Sequence, residues 1–154
     1  MQQDMREDEA RGLLSSRLIC EDPGDWLPDR VHQFTDRLSC GLISSIGERQ
    51  GLHLDFKFTG HRRNYPERFV FTVFKSDRGR ILRVYQLDIQ RWPRLPTAKH
   101  SWPHEHIGAT RNTGDSAWLG WTFDDILGRF CQTTNIEFQP SSPPDPRFFA
   151  LRRS

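Results

Sequence analysis

The chain has 154 residues, which is enough for one domain with a real core and too few for two full-sized domains. Hydrophobic residues make up 35% and aromatic residues 12%, which excludes a disordered chain, and no apolar run is long enough for a transmembrane helix. The start of the chain is acidic and no apolar segment follows it, so we expect no secretory signal.

The three cysteines are far apart in the sequence. Cys20, Cys40 and Cys131 are odd in number and form no CxxC motif. This pattern predicts neither a disulfide scaffold nor a zinc finger, and it favours reduced cysteines. We therefore expect a cytoplasmic protein that does not associate with a membrane.

The net charge of +2 conceals an uneven distribution along the chain. Between Lys57 and Arg111 there are 12 basic residues against 4 acidic ones, and 19 of all 22 basic residues are arginine. Arginine favours planar anions such as phosphate and carboxylate. The basic middle of the chain thus suits an anionic partner such as nucleic acid, although a solvated face in an arginine-rich proteome would look the same.

The first part of the chain predicts an arm followed by a helix. Residues 1–24 are predicted to form a partly flexible N-terminal arm, in which residues 13–20 form a short helix or an extended segment. Pro28 suits the first position of a helix. Apolar residues then recur at helical spacing to residue 47, which predicts an amphipathic helix with the buried positions Val31, Phe34, Leu38, Leu42 and Ile46.

The middle of the chain predicts four strands. Residues 52–58 alternate between apolar and polar side chains, which is typical of a half-buried strand. Residues 69–75 and 81–89 form the next two strands, joined by a hairpin turn at residues 76–79. Residues 91–103 contain three prolines and predict a long loop, and residues 104–110 form the fourth strand.

The last part of the chain predicts a second helix and a tail. Thr122 and Asp125 form a relative of the capping box, so the helix begins there, and residues 136–138 add a short edge strand. The predicted fold is α+β: a four- to five-stranded antiparallel sheet with an N-terminal and a C-terminal helix packed on one face. Residues 25–138 form this single domain, and residues 139–154 form a proline-rich C-terminal tail.

Histidines gather between the loop and the fourth strand. His104 and His106 would point to the same face of a strand, close to His100. One imidazole could accept a proton while the other donates one, as RNA cleavage requires, with Arg111 as the third catalytic residue. Alternatively, the three histidines bind a metal together with Asp88 or Asp115, or they have only a structural role. We expect no metal and no cofactor.

Residues near the histidine pair are candidates for substrate binding. They share a positive charge, an aromatic ring or a hydrogen-bonding group, and they are Arg83, Tyr85, Arg91, Lys99, His100 and Trp102. The tryptophans of this region could stack on bases or cap the core. Trp118 and Trp121, just before the second helix, are predicted to belong to the core.

Three short motifs carry a resemblance to a family. They are Leu87-Asp88-Ile89, Pro103-His104-Glu105-His106-Ile107 and Gly114-Asp115-Ser116-Ala117-Trp118, followed by a helix that ends near Asn135. Over residues 80–136 the chain resembles a poorly characterised group of small bacterial and phage proteins, which are similar to toxin components of toxin–antitoxin pairs. Carried over residue by residue, the resemblance implies roles for His104, His106, Asp115 and Trp118.

Together these patterns favour a toxin-like protein that acts on RNA, a metal-independent endoribonuclease of phage defence. In it, His104 and His106 transfer protons and arginines hold phosphate. The alternative is a non-catalytic binding protein, such as a phage-encoded inhibitor or an antitoxin-type partner. The basic middle of this binding protein would contact nucleic acid or an acidic protein. For the toxin-like protein, the expected partners are RNA or an acidic protein such as an antitoxin. A metal-dependent enzyme is a third interpretation.

Overall fold

The computed structural model describes residues 2–148 of the chain. Two short 3₁₀ helices, Lys99–Ser101 and Ser116–Gly120, lie in the second half, and residues 146–148 are also helical. In chain order, the other elements are β1 (Gln2–Asp4), α1 (Glu7–Leu14), β2 (Leu18–Glu21), β3 (Leu27–Pro28), β4 (Thr35–Ser44), β5 (Arg49–Thr59), β6 (Arg68–Asp77), β7 (Arg80–Gln90), β8 (His104–Ile107), β9 (Thr110–Thr113), α2 (Phe123–Thr134) and β10 (Ile136–Gln139).

One large mixed sheet contains all ten of these strands. Its order is β10-β2-β4-β5-β6-β7-β8-β9, with β1 paired to β7 and β3 paired to β4. The pairs β10–β2 and β1–β7 are parallel, and the other pairs are antiparallel. The predicted antiparallel sheet of four to five strands with two packed helices is therefore wrong, because the sheet has twice as many strands and two parallel pairs.

The predicted helix over residues 28–47 is wrong, since this segment forms β3 and β4 instead. Leu38 and Leu42 are buried, but a spacing of four residues returns to the same face in a strand as well as in a helix. The other members of the apolar stripe are exposed: Val31 to 81%, Phe34 to 55% and Ile46 to 78%. Of the apolar stripe, only Leu38 and Leu42 therefore contribute to the core.

The two ends of the chain contribute to the fold. Residues 2–21, assigned from the sequence to an arm, form β1, α1 and β2, and β2 pairs with neighbours on both of its sides. Near the C-terminus, the carbonyl of Pro144 accepts a hydrogen bond of 2.8 Å from Trp26 Nε1, and Arg147 forms ion pairs with Asp145 and Glu67. The remainder of the predicted tail, residues 149–154, lies outside the described residues.

The prediction that the cysteines stay reduced is wrong for two of them. Cys20 in β2 and Cys40 in β4 form a disulfide, with their Cα atoms 6.3 Å apart, and Cys131 is free. These residues are 20 positions apart in the sequence, but β2 and β4 are neighbouring strands of the sheet. Spacing along the chain does not indicate this proximity, because the proximity depends on the pairing of β2 with β4.

The predicted strands and turn in the middle of the chain are confirmed. Residues 52–58 lie in β5, residues 69–75 in β6 and residues 81–89 in β7. Arg78 and Gly79 connect β6 to β7 with φ angles of 50° and 79°, as a two-residue hairpin turn of type I′ requires. The fourth predicted strand is shorter than expected, because the chain turns at Gly108 and returns as β9. A Cβ at Gly108 would collide with the carbonyl of Met5, so only glycine fits there.

One face of the sheet, the apolar face, forms the core with α2. Leu54, Phe56, Phe71 and Val73 are fully buried there. The helix that covers them is α2, where Phe130 packs edge-on against Phe56 at a ring distance of 4.9 Å. Helix α2 begins where the sequence indicates, because Thr122 and Asp125 form a reciprocal capping box. Ala10 and Leu14 of α1 join the same core.

The other face of the sheet, the polar face, carries charged and hydrogen-bonding side chains. By alternation and register, it is formed by Arg37 and Ser39 of β4, His53, Asp55, Lys57 and Thr59 of β5, Arg68, Thr72 and Phe74 of β6, Gln86, Asp88 and Gln90 of β7, His104 and His106 of β8, and Arg111 of β9. Thr72, Asp88 and His104 are buried among them, and the more exposed members could contact a ligand without disturbing the core.

Candidate active site

The predicted catalytic residues meet at one corner of the polar face, where β7, β8 and β9 pair. Alternation along β8 directs His104 and His106 to the polar face and Glu105 to the apolar face. The two imidazole rings lie edge to face with their centres 5.0 Å apart. Arg111 of β9 is directly opposite His106. We call this group of three side chains the histidine corner.

His104 is the buried member of the histidine corner, with 7% of its surface exposed. Its Nδ1 lies 2.7 Å from the carbonyl oxygen of Trp102, so the neutral ring carries its proton on Nδ1 and donates it there. Its Nε2 lies 3.8 Å from Asp88 Oδ2. Burial lowers the pKa of His104, although the bond to Trp102 and the charge of Asp88 act against this shift.

His106 is held neutral more strongly than His104. Burial, the positive charge of Arg83 and the neighbouring His104 ring lower its pKa to about 4. Its Nδ1 is buried and has no hydrogen-bond partner within residues 2–148. Because Nδ1 is buried, a ligand could reach only the exposed part of this half-buried ring.

Arg111 supplies the positive charge of the histidine corner. Its side chain is exposed, and its Nη2 donates a hydrogen bond of 2.9 Å to the carbonyl of Lys99. No carboxylate of the described residues lies within ion-pair distance of its guanidinium. A bound phosphate would thus meet two neutral imidazoles and one cation that is not already paired with an acid.

Three of the predicted substrate-binding residues are occupied elsewhere. Tyr85 lies on the apolar face, fully buried, and its hydroxyl donates to Glu105 Oε1 at 2.7 Å; burial and this carboxylate raise its pKa. Arg83 forms an ion pair with Asp4, at 2.8 Å, and also donates to Gln86. Arg91 forms an ion pair with Glu67 at 2.8 Å. Of these three, only Arg83 lies close enough to influence the histidine corner.

The other predicted substrate-binding residues lie in the loop before β8. Lys99 and His100 are exposed in a 3₁₀ turn, and the Lys99 ammonium lies 5.6 Å from the centre of the Trp102 ring. Trp102 Nε1 donates a hydrogen bond of 2.7 Å to the carbonyl of Pro96, which closes the loop on itself. Because Lys99 and Trp102 offer their carbonyls to Arg111 and His104, this loop is attached directly to the histidine corner.

The two further residues implied by the family resemblance have structural contacts. The carboxylate of Asp115 accepts a hydrogen bond of 2.9 Å from the backbone of Ala117 and so caps a 3₁₀ helix. Trp118 stacks on Trp121 at a ring distance of 4.7 Å, and the Arg129 guanidinium lies over the Trp118 ring. Both tryptophans are only partly buried and pack against the core, so they are not the core members that the sequence predicts. Neither Asp115 nor Trp118 belongs to the histidine corner.

The metal-binding interpretation has no geometric support in the part of the chain that the structure describes. No three His, Cys, Asp or Glu side chains there come together as metal ligands do. Asp88, considered above as a ligand, is instead held by Arg68 in a bidentate pair with distances of 2.9 and 2.6 Å. Sequence reasoning missed this pair, since only the register of β6 against β7 places the two residues together.

The basic middle of the chain keeps much of its charge unpaired in space. Of its 12 basic residues, Arg68, Arg80, Arg83 and Arg91 form ion pairs with carboxylates, which leaves eight without one within residues 2–148. Arg83 is the one whose acid, Asp4, comes from outside this segment. The paired arginines stiffen the sheet, and the unpaired ones remain free for an anionic ligand.

No protein-family model, no curated protein and no solved structure matches the chain. Among the described helices, none combines the length and the apolar composition needed to cross a membrane.

Proposed function

We propose that the protein is a toxin-like, metal-independent endoribonuclease that acts on RNA at the histidine corner. The observation that carries this proposal is the meeting of His104, His106 and Arg111 on the polar face, where the His106 ring is half-buried and Arg111 is exposed. RNA cleavage without a metal needs a base for the 2′-hydroxyl and a cation for the phosphate. The histidine corner holds one candidate for each.

The two histidines have different roles in this proposal. His106 is the general base: it accepts the 2′-hydroxyl proton, the 2′-oxygen forms a bond to phosphorus, and the bond from phosphorus to the 5′-oxygen breaks as that oxygen takes a proton from water. His104 is a positioning residue, because its Nδ1–H is committed to the Trp102 carbonyl. Arg111 holds the phosphate through charge-assisted hydrogen bonds.

The low pKa of His106 sets a condition on this chemistry. A base whose pKa is about 4 has little affinity for a proton at neutral pH. A bound phosphate carries a negative charge, which raises the pKa of a neighbouring imidazole. The RNA substrate itself therefore raises the pKa of His106, which makes the neutral ring a stronger base.

A second candidate function, a non-catalytic binding protein for RNA, is favoured by the state of the same histidines. Burial lowers the pKa of both rings, so neither is protonated at neutral pH to serve as an acid. Under this interpretation the histidine corner and its loop recognise RNA without cleaving it.

The test is RNA cleavage by purified protein, followed on gels for the wild type and three variants. His106→Ala should lose at least about a hundredfold in rate, the low end for a general base, and Arg111→Ala should weaken transition-state binding. His53→Ala removes a histidine of the polar face on β5, three strands away, and should leave the rate unchanged. For the wild type, kcat/KM should fall only as pH drops towards about 4.

Two results would decide against the enzyme. If folded wild type retains RNA on a filter without cutting it, the binding function replaces the catalytic one. If it neither cuts nor retains RNA at low salt, both candidates are wrong.

A further inference from the structure

A cavity of about 570 Å³ opens on the polar face away from the histidine corner. It lies where β4, β5 and β6 meet the loop over residues 60–66, and Lys57, Thr59 and Arg68 form part of its wall. The cavity has the volume of a typical small-molecule site. Lys57 on β5 is three strand spacings from β8, roughly 14 Å at about 4.8 Å per spacing, whereas Arg68 on β6 and Gln90 on β7 form the side nearer to β8.

Lys57 is the central cation of this cavity. Its ammonium makes no hydrogen bond and no ion pair with any described residue, although the side chain is half-buried. Arg37 and Arg68 lie on either side of it, and their own carboxylate partners are Asp29 and Asp55 for the first and Asp88 for the second. Burial lowers the pKa of Lys57, and Arg68 and Arg37 lower it further, although the charges of Asp88 and Asp55 act against this shift. An anion in the cavity would relieve this repulsion.

The mouth of the cavity combines a second cation with aromatic and apolar surface. Arg62 and Tyr65 are bridged through their backbones, and the Arg62 guanidinium lies 4.7 Å from the centre of the Tyr65 ring. Tyr65 is 53% exposed and Val31 is 81% exposed, and both line the cavity. A ligand that fits must therefore carry a negative group and a flat apolar group together.

We propose that this cavity, the Lys57 pocket, binds a nucleoside phosphate. The phosphate contacts Lys57 and Arg62, and the base lies against Tyr65 and Val31. The hydroxyls of Thr35 and Thr59, which lie 3.2 Å apart, and the amide of Gln90 line the space between and suit a sugar. The same chemistry is offered by a free nucleotide and by one unit of an RNA chain, and neither source requires cleavage at the histidine corner.

Calorimetric titration with AMP, adenosine and inorganic phosphate tests the Lys57 pocket. AMP should bind at least about tenfold more tightly than adenosine or phosphate, since each of these lacks half of the contacts. Lys57→Met should weaken AMP binding at least about tenfold, and Tyr65→Ala, at an exposed position, should weaken it by less. Lys75→Met is the matched control, because Lys75 is a half-buried lysine of the neighbouring strand β6 that does not line the pocket.

The proposal is overturned if adenosine binds as tightly as AMP, if Lys57→Met and Lys75→Met have equal effects, or if AMP does not bind. A short RNA added to the AMP complex identifies the source of the ligand: displacement of AMP assigns the pocket to an RNA unit, and its retention assigns the pocket to a free nucleotide. His106→Ala should bind AMP normally, so a failure of the proposed nuclease and a failure of this pocket are distinguishable.

Discussion

The two faces of the same sheet solve different physical problems. On the apolar face, Phe56 and Phe71 stack at 3.9 Å and are covered by Phe130 of α2. On the polar face, Arg68 and Asp88 form a bidentate pair, and Asp88 in turn faces His104. Packing of apolar side chains dominates the first face, and its buried Glu105 is held by Tyr85 and Arg129. On the second face, Lys57 and Arg111 have no carboxylate partner within residues 2–148, and a ligand can reach them.

This difference shows where function is to be sought in a single-sheet protein. Charged side chains that already form ion pairs, such as Arg83 with Asp4, stabilise the fold, and their charge is not available to a ligand. Unpaired side chains on a rigid strand are held at defined positions. When they bind a ligand, no ion pair that stabilises the fold has to break.

Removal of a core ring should have the largest effect. Phe71 is fully buried and contacts both Phe56 and Phe130, so Phe71→Ala should lower the free energy of unfolding by about 3–5 kcal/mol. Phe74→Ala, in the same strand but half-buried against His53 on the polar face, should cost clearly less. Chemical denaturation measures both. A loss below about 1 kcal/mol for Phe71→Ala would contradict its place in the core.

Acid should weaken the fold through the polar face. The pKa of His106 is about 4 in the folded protein and near 6.5 when unfolded, so the unfolded chain takes up protons first as pH falls. Stability is fully present above about pH 6.5 and is lost as pH falls towards 4, by at most about 3 kcal/mol. His106→Asn should flatten this dependence in denaturation curves recorded between pH 7 and 4. An unchanged slope would show that the ring is not held neutral by folding.

Loss of the helix cap should have the smallest effect. Thr122→Ala removes the hydroxyl that accepts the Asp125 backbone N–H, at 3.1 Å, and should lower the free energy of unfolding by about 1 kcal/mol. Thr110→Ala, at an exposed position of β9, is the control and should change it by less than about 0.5 kcal/mol. Equal effects in thermal melts would mean that the capping box does not stabilise α2.

The sequence predicts the apolar face well and the topology poorly. Alternation places Leu54 and Phe56 in a strand correctly, and the signals at Thr122 and at Arg78-Gly79 locate a helix start and a hairpin turn. Leu38 and Leu42 mislead, because their spacing of four residues fits both periods and Pro28 suggests a helix start. The parallel pairs of β1 and β10 depend on contacts between distant parts of the chain, which no local pattern encodes.

For the candidate site, the sequence predicts the face of the sheet on which the histidines lie. It does not predict which of the other residues are already engaged in ion pairs or hydrogen bonds. His104 and His106 share a face because they are two positions apart in a strand. Tyr85 points to the apolar face of β7, and Arg91 forms an ion pair with Glu67. Both facts become visible only when the pairing of the strands is known. The Lys57 pocket escaped sequence reasoning, since its walls come from four separate segments.

The central claim is that the polar face, and not another surface, meets RNA. Ultraviolet crosslinking of purified protein to a short RNA, followed by mass spectrometry of the attached peptides, tests it most directly. We expect crosslinks within residues 102–113, which contain Trp102 and the histidine corner, and their loss in the Arg111→Ala variant. Crosslinks confined to α1, α2 or the turn at Arg78 would contradict the account, because those surfaces lie outside the polar face.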